Sequence, residues 1–116
     1  MLPKKNRLGK SDFSFLKKAK KRVFSFPDFR ITVCKSEFFS SPARFGVVIP
    51  AAVSKKAVLR NKLRRRIKNI LFKNISEFSE GLIVVVYPQK SAAIISFKET
   101  NEEFARFIKE FHGHKN

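Results

Sequence analysis

The fold is decided by residues 54–71, which read SKKAVLRNKLRRRIKNIL. At about 100° per residue, the apolar side chains of this stretch gather into one stripe, which is the pattern of a helix docked on a core. We expect a helix with Ser54 as its N-cap that ends near Asn74. The stripe comprises Leu59, Leu63, Ile67, Ile70 and Leu71.

The rest of this predicted helix is basic, with nine Lys or Arg and no acidic residue from Lys55 to Lys73. A solvated face normally mixes signs, because like charges one turn apart destabilise a helix. A helix of about 20 residues is roughly 30 Å long and can follow several successive phosphates. The pattern therefore predicts a nucleic-acid-binding surface. Its donors are Arg60, Asn61, Lys62, Arg64, Arg65, Arg66, Lys68 and Lys73.

The net charge of +17 is concentrated in residues 1–76, which hold 21 of the 26 basic residues and three of the nine acidic ones. Such a field attracts nucleic acid through counterion release. A membrane-surface role is disfavoured, because the apolar stripe has no Trp or Tyr and is needed as core. Apolar runs are too short to span a bilayer and no secretory signal is apparent, so we expect a cytoplasmic protein.

With 116 residues and 14 Phe, the chain predicts a single domain with a modest core over residues 1–116. Residues 1–10 are expected to be a basic arm without regular structure, and residues 112–116 a flexible tail. Cys34 is the only cysteine, which excludes an intrachain disulfide and a Cys-based zinc site. We expect Cys34 in the core and no metal at His112 and His114.

One further helix and three strands are predicted outside the two long helices. Ser11 or Asp12 can cap a first helix that runs to Arg22. Residues 29–34 alternate as a half-buried strand, with Phe29, Ile31 and Val33 on one face. Residues 44–49 form a second strand that ends at Pro50, and the β-branched run 82–87 indicates a strand buried on both faces.

The last predicted element is an amphipathic helix that opens with a capping box, Ser96-Phe97-Lys98-Glu99. Its apolar residues are Phe97, Phe104, Ile108 and Phe111, and its polar side carries Glu102, Glu103 and Glu110. The element order is then α-β-β-α-β-α, with an extra short strand or turn left open. This predicts an α+β fold, a single-domain sandwich of one sheet covered by helices.

Residues 57–68, AVLRNKLRRRIK, resemble the signature helix of the bacterial ribonuclease P protein subunit. Three further segments agree in order and spacing: residues 6–8 with Asp12-Phe13 resemble the opening of the family, residues 44–47 the strand before its signature helix, and residues 96–99 the start of its last helix. The resemblance covers nearly the whole chain.

The resemblance implies a small basic protein that binds a catalytic ribonuclease P RNA. The resulting ribonucleoprotein removes the 5′ leader of precursor tRNA by endonucleolytic cleavage. Catalysis is then expected from the RNA and its Mg²⁺ ions, with no catalytic residue, protein-bound metal or obligate protein partner in this chain. The fold implied is an α/β sandwich with a left-handed βαβ crossover, although base rates favour the right-handed form.

Site residues carried over by resemblance fall into three groups. The RNA-binding residues are Lys56, Arg60, Asn61, Lys62, Arg64, Arg65 and Lys68. The cleft for the leader is expected to be lined by Phe13, Lys17, Phe29 and Ile31. The N-terminal arm contributes Asn6 and Arg7.

Four positions depart from the family pattern. Lys17 stands where a second aromatic residue of the first helix is expected, and Thr32 falls where the family has its cleft tyrosine. Ala51 and Ala52 replace two lysines before the signature helix, and Lys55 and Lys56 are candidates to supply that charge. Fewer aromatic platforms predict a weaker or more electrostatic hold on single-stranded RNA.

Two other functions compete with this one. A nuclease that acts without RNA needs clustered carboxylates or a histidine acid and base, but no acidic residue occurs from residue 38 to 76 and both histidines lie at the tail. A non-catalytic RNA-binding or ribosome-associated module fits the charge and the fold class equally well. The Arg60-Asn61 signature together with Phe13 favours the ribonuclease P function.

Overall fold

The computed structural model describes residues 3–9, 14, 16–35 and 42–113. Four strands form one sheet: β1 (Arg22–Ser25), β2 (Phe29–Lys35), β3 (Arg44–Val47) and β4 (Leu82–Pro88). Two long helices, α1 (Ala57–Lys73) and α2 (Phe97–Gly113), follow β3 and β4. Ser14 and residues 16–18 are also helical, as expected for the first helix. Short 3-10 helices span Lys4–Asn6, Ile75–Glu77 and Lys90–Ala93.

The strand order in the sheet is β1-β2-β4-β3. β1 pairs antiparallel with β2, β2 pairs antiparallel with β4, and β3 pairs parallel with β4. Because α1 connects the two parallel strands, β3-α1-β4 is the expected βαβ unit. The predicted α+β architecture is confirmed, and the left-handed sense of the crossover stays a prediction.

β1 is the extra strand that the sequence analysis left open. Arg22 lies in this strand and not at the end of the first helix. Residues 22–25 pair with β2, in a register that runs from Arg22↔Val33 to Ser25↔Arg30. The short connection to β2 bends at Pro27 and Asp28, residue types that favour turns. The central strand β4 is buried on both faces from Leu82 to Val86, as predicted.

The sheet has two faces of different composition. The core face packs against α1 and α2, and the alternation of β2 directs Phe29, Ile31 and Val33 to it. The opposite face, here called the Leu16 face, holds a smaller cluster of Leu16, Cys34, Ile83 and Val85. Cys34 is therefore a buried core residue, as expected.

Four side chains of the predicted stripe attach α1 to the core face: Leu63, Ile67, Ile70 and Leu71 are buried. The remaining residue of the stripe, Leu59, is exposed in the first turn of the helix. The N-cap is Lys56 and not Ser54, although the Ser54 hydroxyl accepts a 3.3 Å hydrogen bond from the Lys56 amide. The helix ends at Lys73, close to the predicted end, and the side-chain amide of its C-cap Asn74 donates to the Ile70 carbonyl at 2.8 Å.

The capping box of α2 is confirmed in both directions. The Ser96 amide donates to Glu99 at 3.2 Å, and the Glu99 amide donates to the Ser96 hydroxyl at 3.1 Å. The buried stripe differs from the predicted one, because Phe97 is exposed and Phe107 is fully buried. Phe107 lies 5.3 Å from Phe24 between ring centroids, in edge-to-face geometry.

Two charged or polar residues of α2 also lie where the sequence did not predict them. Glu103 is 3% exposed, and it accepts a 2.8 Å hydrogen bond from the backbone amide of Asp28. His112 belongs to α2 and its Nε2 lies 2.8 Å from the Glu77 carbonyl oxygen, so the flexible tail does not begin at residue 112. His114 and the remainder of the predicted tail fall outside the described residues.

Candidate nucleic-acid interface

The surface of α1 that faces away from the core is basic along its length. Asn61, Lys62 and Arg65 are exposed, whereas Arg60, Arg64 and Lys68 are half-buried. Half-burial orders the side chain against its neighbours while leaving its charged end accessible. Lys55 and Lys56 are exposed directly before the helix, so their charge joins this surface at its N-terminal end.

Two hydrogen bonds orient arginines of this surface. Nη1 of Arg60 donates to the Ser54 carbonyl at 2.7 Å, which ties the helix to the segment before it. Nη1 of Arg64 donates to Oδ1 of Asn61 at 2.9 Å. A guanidinium has five N–H donors, so each arginine keeps donors for a phosphate after making one such bond.

Arg66 is the exception among the arginines of α1. Its Nη1 donates to the Ile95 carbonyl at 3.2 Å, and its guanidinium carbon lies 5.6 Å from the ring centroid of Phe97. Arg66 thus links α1 to the start of α2, which assigns it a structural role.

Cations from two separate segments meet beside α1. A cavity of about 290 Å³ is lined by Arg7, Arg64, Arg65, Lys68 and Asn69. Burial lowers the pKa of the Lys68 ammonium, and the positive charges of Arg64 and Arg7 lower it further. A cavity walled by donors of one sign is suited to an anion such as a backbone phosphate.

Arg7 reaches this cavity because the N-terminal arm is docked. The Leu8 amide donates to the Phe45 carbonyl at 3.2 Å, and Arg7 forms a parallel bridge with Phe45 on β3. Asn6 was expected to be a site residue of the arm, but its side chain is buried and only 2% exposed. Its side-chain amide donates to the Ala43 carbonyl at 2.7 Å.

Two residues of the predicted leader cleft lie in the core instead. Phe29 and Ile31 are 0% and 1% exposed on the core face, so they cannot line a cleft. The sequence assigned them correctly to one face of β2, but the first helix lies on the other face, where Leu16 packs. Lys17 is exposed, and Phe13 falls outside the described residues.

A depression of about 250 Å³ lies on the Leu16 face, lined by Lys21, Val23, Arg30, Thr32 and Tyr87. Arg30 and Tyr87 are register partners on β2 and β4, and the Arg30 guanidinium carbon lies 5.4 Å from the Tyr87 ring centroid. Sequence reasoning missed both residues. Tyr87 is the single tyrosine of the chain, but its position opposite Arg30 depends on strand register, which the sequence did not reveal.

Across residues 3–9, 14, 16–35 and 42–113, no three His, Cys, Asp or Glu side chains come together as a metal site would require. Within the same ranges, no helix is long and apolar enough to cross a membrane.

Comparisons with known proteins agree with this geometry. The model of the Ribonuclease P family matches residues 2–112. The ribonuclease P protein component of Rickettsia canadensis is 32% identical over 66 residues, which cover 54% of this chain and 56% of that protein. The corresponding protein of Microcystis aeruginosa is 32% identical over 80 residues, which cover 63% of each. These matches therefore span less than two thirds of either relative.

The structural match is more extensive. The RNase P protein from Thermotoga maritima superposes with a TM-score of 0.75 at 25% identity, and the match covers 90% of this chain and 96% of that one.

Proposed function

The chain belongs to the ribonuclease P protein family, and on that basis we propose that it is the protein subunit of the ribonucleoprotein that removes the 5′ leader of precursor tRNA. In this proposal the catalytic RNA and its Mg²⁺ ions carry out the phosphodiester cleavage. The protein binds that RNA, holds the leader and strengthens substrate and Mg²⁺ binding. The whole chain acts as one RNA-binding domain in the cytoplasm, without an obligate protein partner.

The observation that carries the proposal is the basic surface of α1, with its 290 Å³ cavity between Arg64, Lys68 and Arg7. Phosphates neutralise these like charges and release counterions on binding. The RNA-binding residues in this proposal are Lys56, Arg60, Asn61, Lys62, Arg64, Arg65 and Lys68. Lys55 joins Lys56 in supplying charge before the helix.

We assign the leader to the Leu16 face. Arg30 lies against the Tyr87 ring, and together they offer a flat surface on which an unpaired base can stack. Lys17 and Lys21 are exposed on the segment before β1, within reach of a backbone that crosses this face. Phe13 is assigned to the cleft from the family resemblance. Phe29 and Ile31 are not assigned to it, because both are buried in the core.

Reconstitution with a cognate ribonuclease P RNA tests the function. We expect no cleavage of precursor tRNA by the protein alone, and a lower Mg²⁺ requirement when the protein is added to the RNA. Arg65→Ala should weaken holoenzyme assembly, while the matched control Lys109→Ala removes one exposed cation from α2 and should not.

Two results would reject the proposal: efficient cleavage by RNA-free protein, or no effect of the protein on the RNA enzyme. In the second case, the protein would be identified as a ribosome-associated module if it bound ribosomal RNA and if Arg65→Ala weakened that binding.

A further inference from the structure

The N-terminal arm is built into the edge of the sheet. Residues 4–6 form a 3-10 helix. In it, the backbone amide of Asn6 donates to the Pro3 carbonyl at 2.9 Å, and the backbone amide of Arg7 donates to the Lys4 carbonyl at 3.1 Å. The chain then runs parallel to β3 through the Arg7 bridge to Phe45. The arm therefore has a defined register on β3, and the position of Arg7 is fixed by it.

Asn6 supplies the side-chain anchor for this register. A buried side-chain amide is costly unless it is hydrogen-bonded. The side-chain amide of Asn6 donates at 2.7 Å to the carbonyl of Ala43, which is 37 residues away in the chain. An apolar residue would fill the same buried space without that cost. What the amide adds is a directional bond that holds residue 6 at one place beside β3.

Because Asn6 is anchored, the position of the next residue, Arg7, is fixed as well. Arg7 lines the 290 Å³ cavity with Arg64 and Lys68, and it lines an adjoining cavity of about 190 Å³ with the same two cations. No carboxylate belongs to the described residues that line either cavity. Beyond the effect of burial, the positive charges of Arg64 and Arg7 both lower the pKa of Lys68, so an anion bound among the three cations is favoured.

We propose that Asn6 is a positioning residue, which holds Arg7 against α1 so that Arg7, Arg64 and Lys68 form one site for a backbone phosphate of the RNA partner. The inference rests on the proposed function, and it adds a contact from the arm to a surface otherwise built from α1. Asn6 itself does not touch the RNA.

The salt dependence of RNA binding tests this role, because each phosphate contact contributes about 0.7 to 0.9 to the slope of log affinity against log salt concentration. Arg7→Ala should reduce the slope by about that amount and weaken binding to ribonuclease P RNA roughly tenfold. Asn6→Ala should reduce the slope equally, although asparagine carries no charge. The double variant should resemble Arg7→Ala, because the two residues act through one contact.

Two further measurements separate positioning from loss of fold. Amide exchange in Asn6→Ala should accelerate at Leu8, which bonds Phe45, and remain slow at Val84 in the core. Asn6→Leu keeps a side chain branched at Cγ but cannot donate the hydrogen bond, so it should repeat the slope change if Asn6→Ala folds poorly. Lys98→Ala removes an exposed cation from α2 and should leave the slope unchanged.

The alternatives give distinct results. A normal slope for both Asn6 variants, with a reduced slope for Arg7→Ala, would overturn the positioning role. A normal slope for Arg7→Ala would overturn the phosphate site. If the protein prefers ribonuclease P RNA no more than another structured RNA, the proposed function fails instead, and the same slopes measured on that other RNA still decide the role of Asn6.

Discussion

Oδ1 of Asn61 accepts a 2.9 Å hydrogen bond from Nη1 of Arg64, one turn further along α1. Asparagine here directs a guanidinium and leaves its remaining donors for RNA. We expect Asn61→Ala to weaken binding to ribonuclease P RNA about threefold to tenfold, since one oriented hydrogen bond is lost. The thermal midpoint should not fall, because alanine favours an exposed helix position. Equal affinity for the variant and the wild type would show that Arg64 needs no such orientation.

The leader cleft gives a second prediction. Tyr87→Ala should weaken binding of precursor tRNA about fivefold or more and leave binding of mature tRNA to the holoenzyme unchanged, because only the leader stacks there. Tyr87→Phe keeps the ring beside Arg30 and serves as the control. Phe13→Ala should likewise weaken binding of precursor tRNA and leave binding of mature tRNA unchanged. A loss that is equal for both substrates would remove this face from leader binding.

The third prediction concerns Glu103. Burial, and then its hydrogen bond with the Asp28 carboxyl, raise the pKa of Glu103 to about 7, and the charge of Arg106 opposes the rise. The folded protein therefore binds this proton more tightly than the unfolded chain does. The contribution of Glu103 to the free energy of unfolding is therefore greatest below the ordinary carboxyl pKa, and it is lost as the pH rises through about 7.

Glu103→Gln removes this titration. The difference in thermal midpoint between Glu103→Gln and the wild type should move in favour of the variant from pH 5 to pH 8 at constant ionic strength. Glu102→Gln changes an exposed neighbour on the same helix and should show no such trend. A pH-independent difference for Glu103→Gln would mean that the carboxyl titrates normally in the folded protein.

Local patterns were sufficient to predict most of the elements. The helical spacing of Leu63 and Ile67, the unbroken run in β4 and the capping box at Ser96 each depend on residues close in sequence, and the structure contains all three. Such features are encoded by neighbouring side chains and backbone groups, so they can be recognised without knowing the tertiary fold.

The errors have a common cause in long-range contacts. Alternation placed Phe29 and Ile31 on one face of β2 but did not tell which helix covers that face. The burial of Asn6 depends on Ala43, and that of Glu103 on Asp28, 75 residues away. A polar residue near a terminus or on a charged helix is usually exposed, and only the partner reveals otherwise.

Arg65 and Arg66 are neighbours on α1 with opposite expected roles, which makes them a matched pair. Arg66 donates to Ile95 and lies on the Phe97 ring, so Arg66→Ala should lower the free energy of unfolding by about 1 to 2 kcal/mol and the thermal midpoint by roughly 4 °C or more. Arg65 is exposed beside the 290 Å³ cavity, so Arg65→Ala should lower RNA affinity without lowering the midpoint. Denaturation and RNA titration of both variants decide the assignment. If Arg66→Ala lost RNA affinity at unchanged stability, its link to α2 would be incidental and the RNA-binding surface would extend across that side of α1.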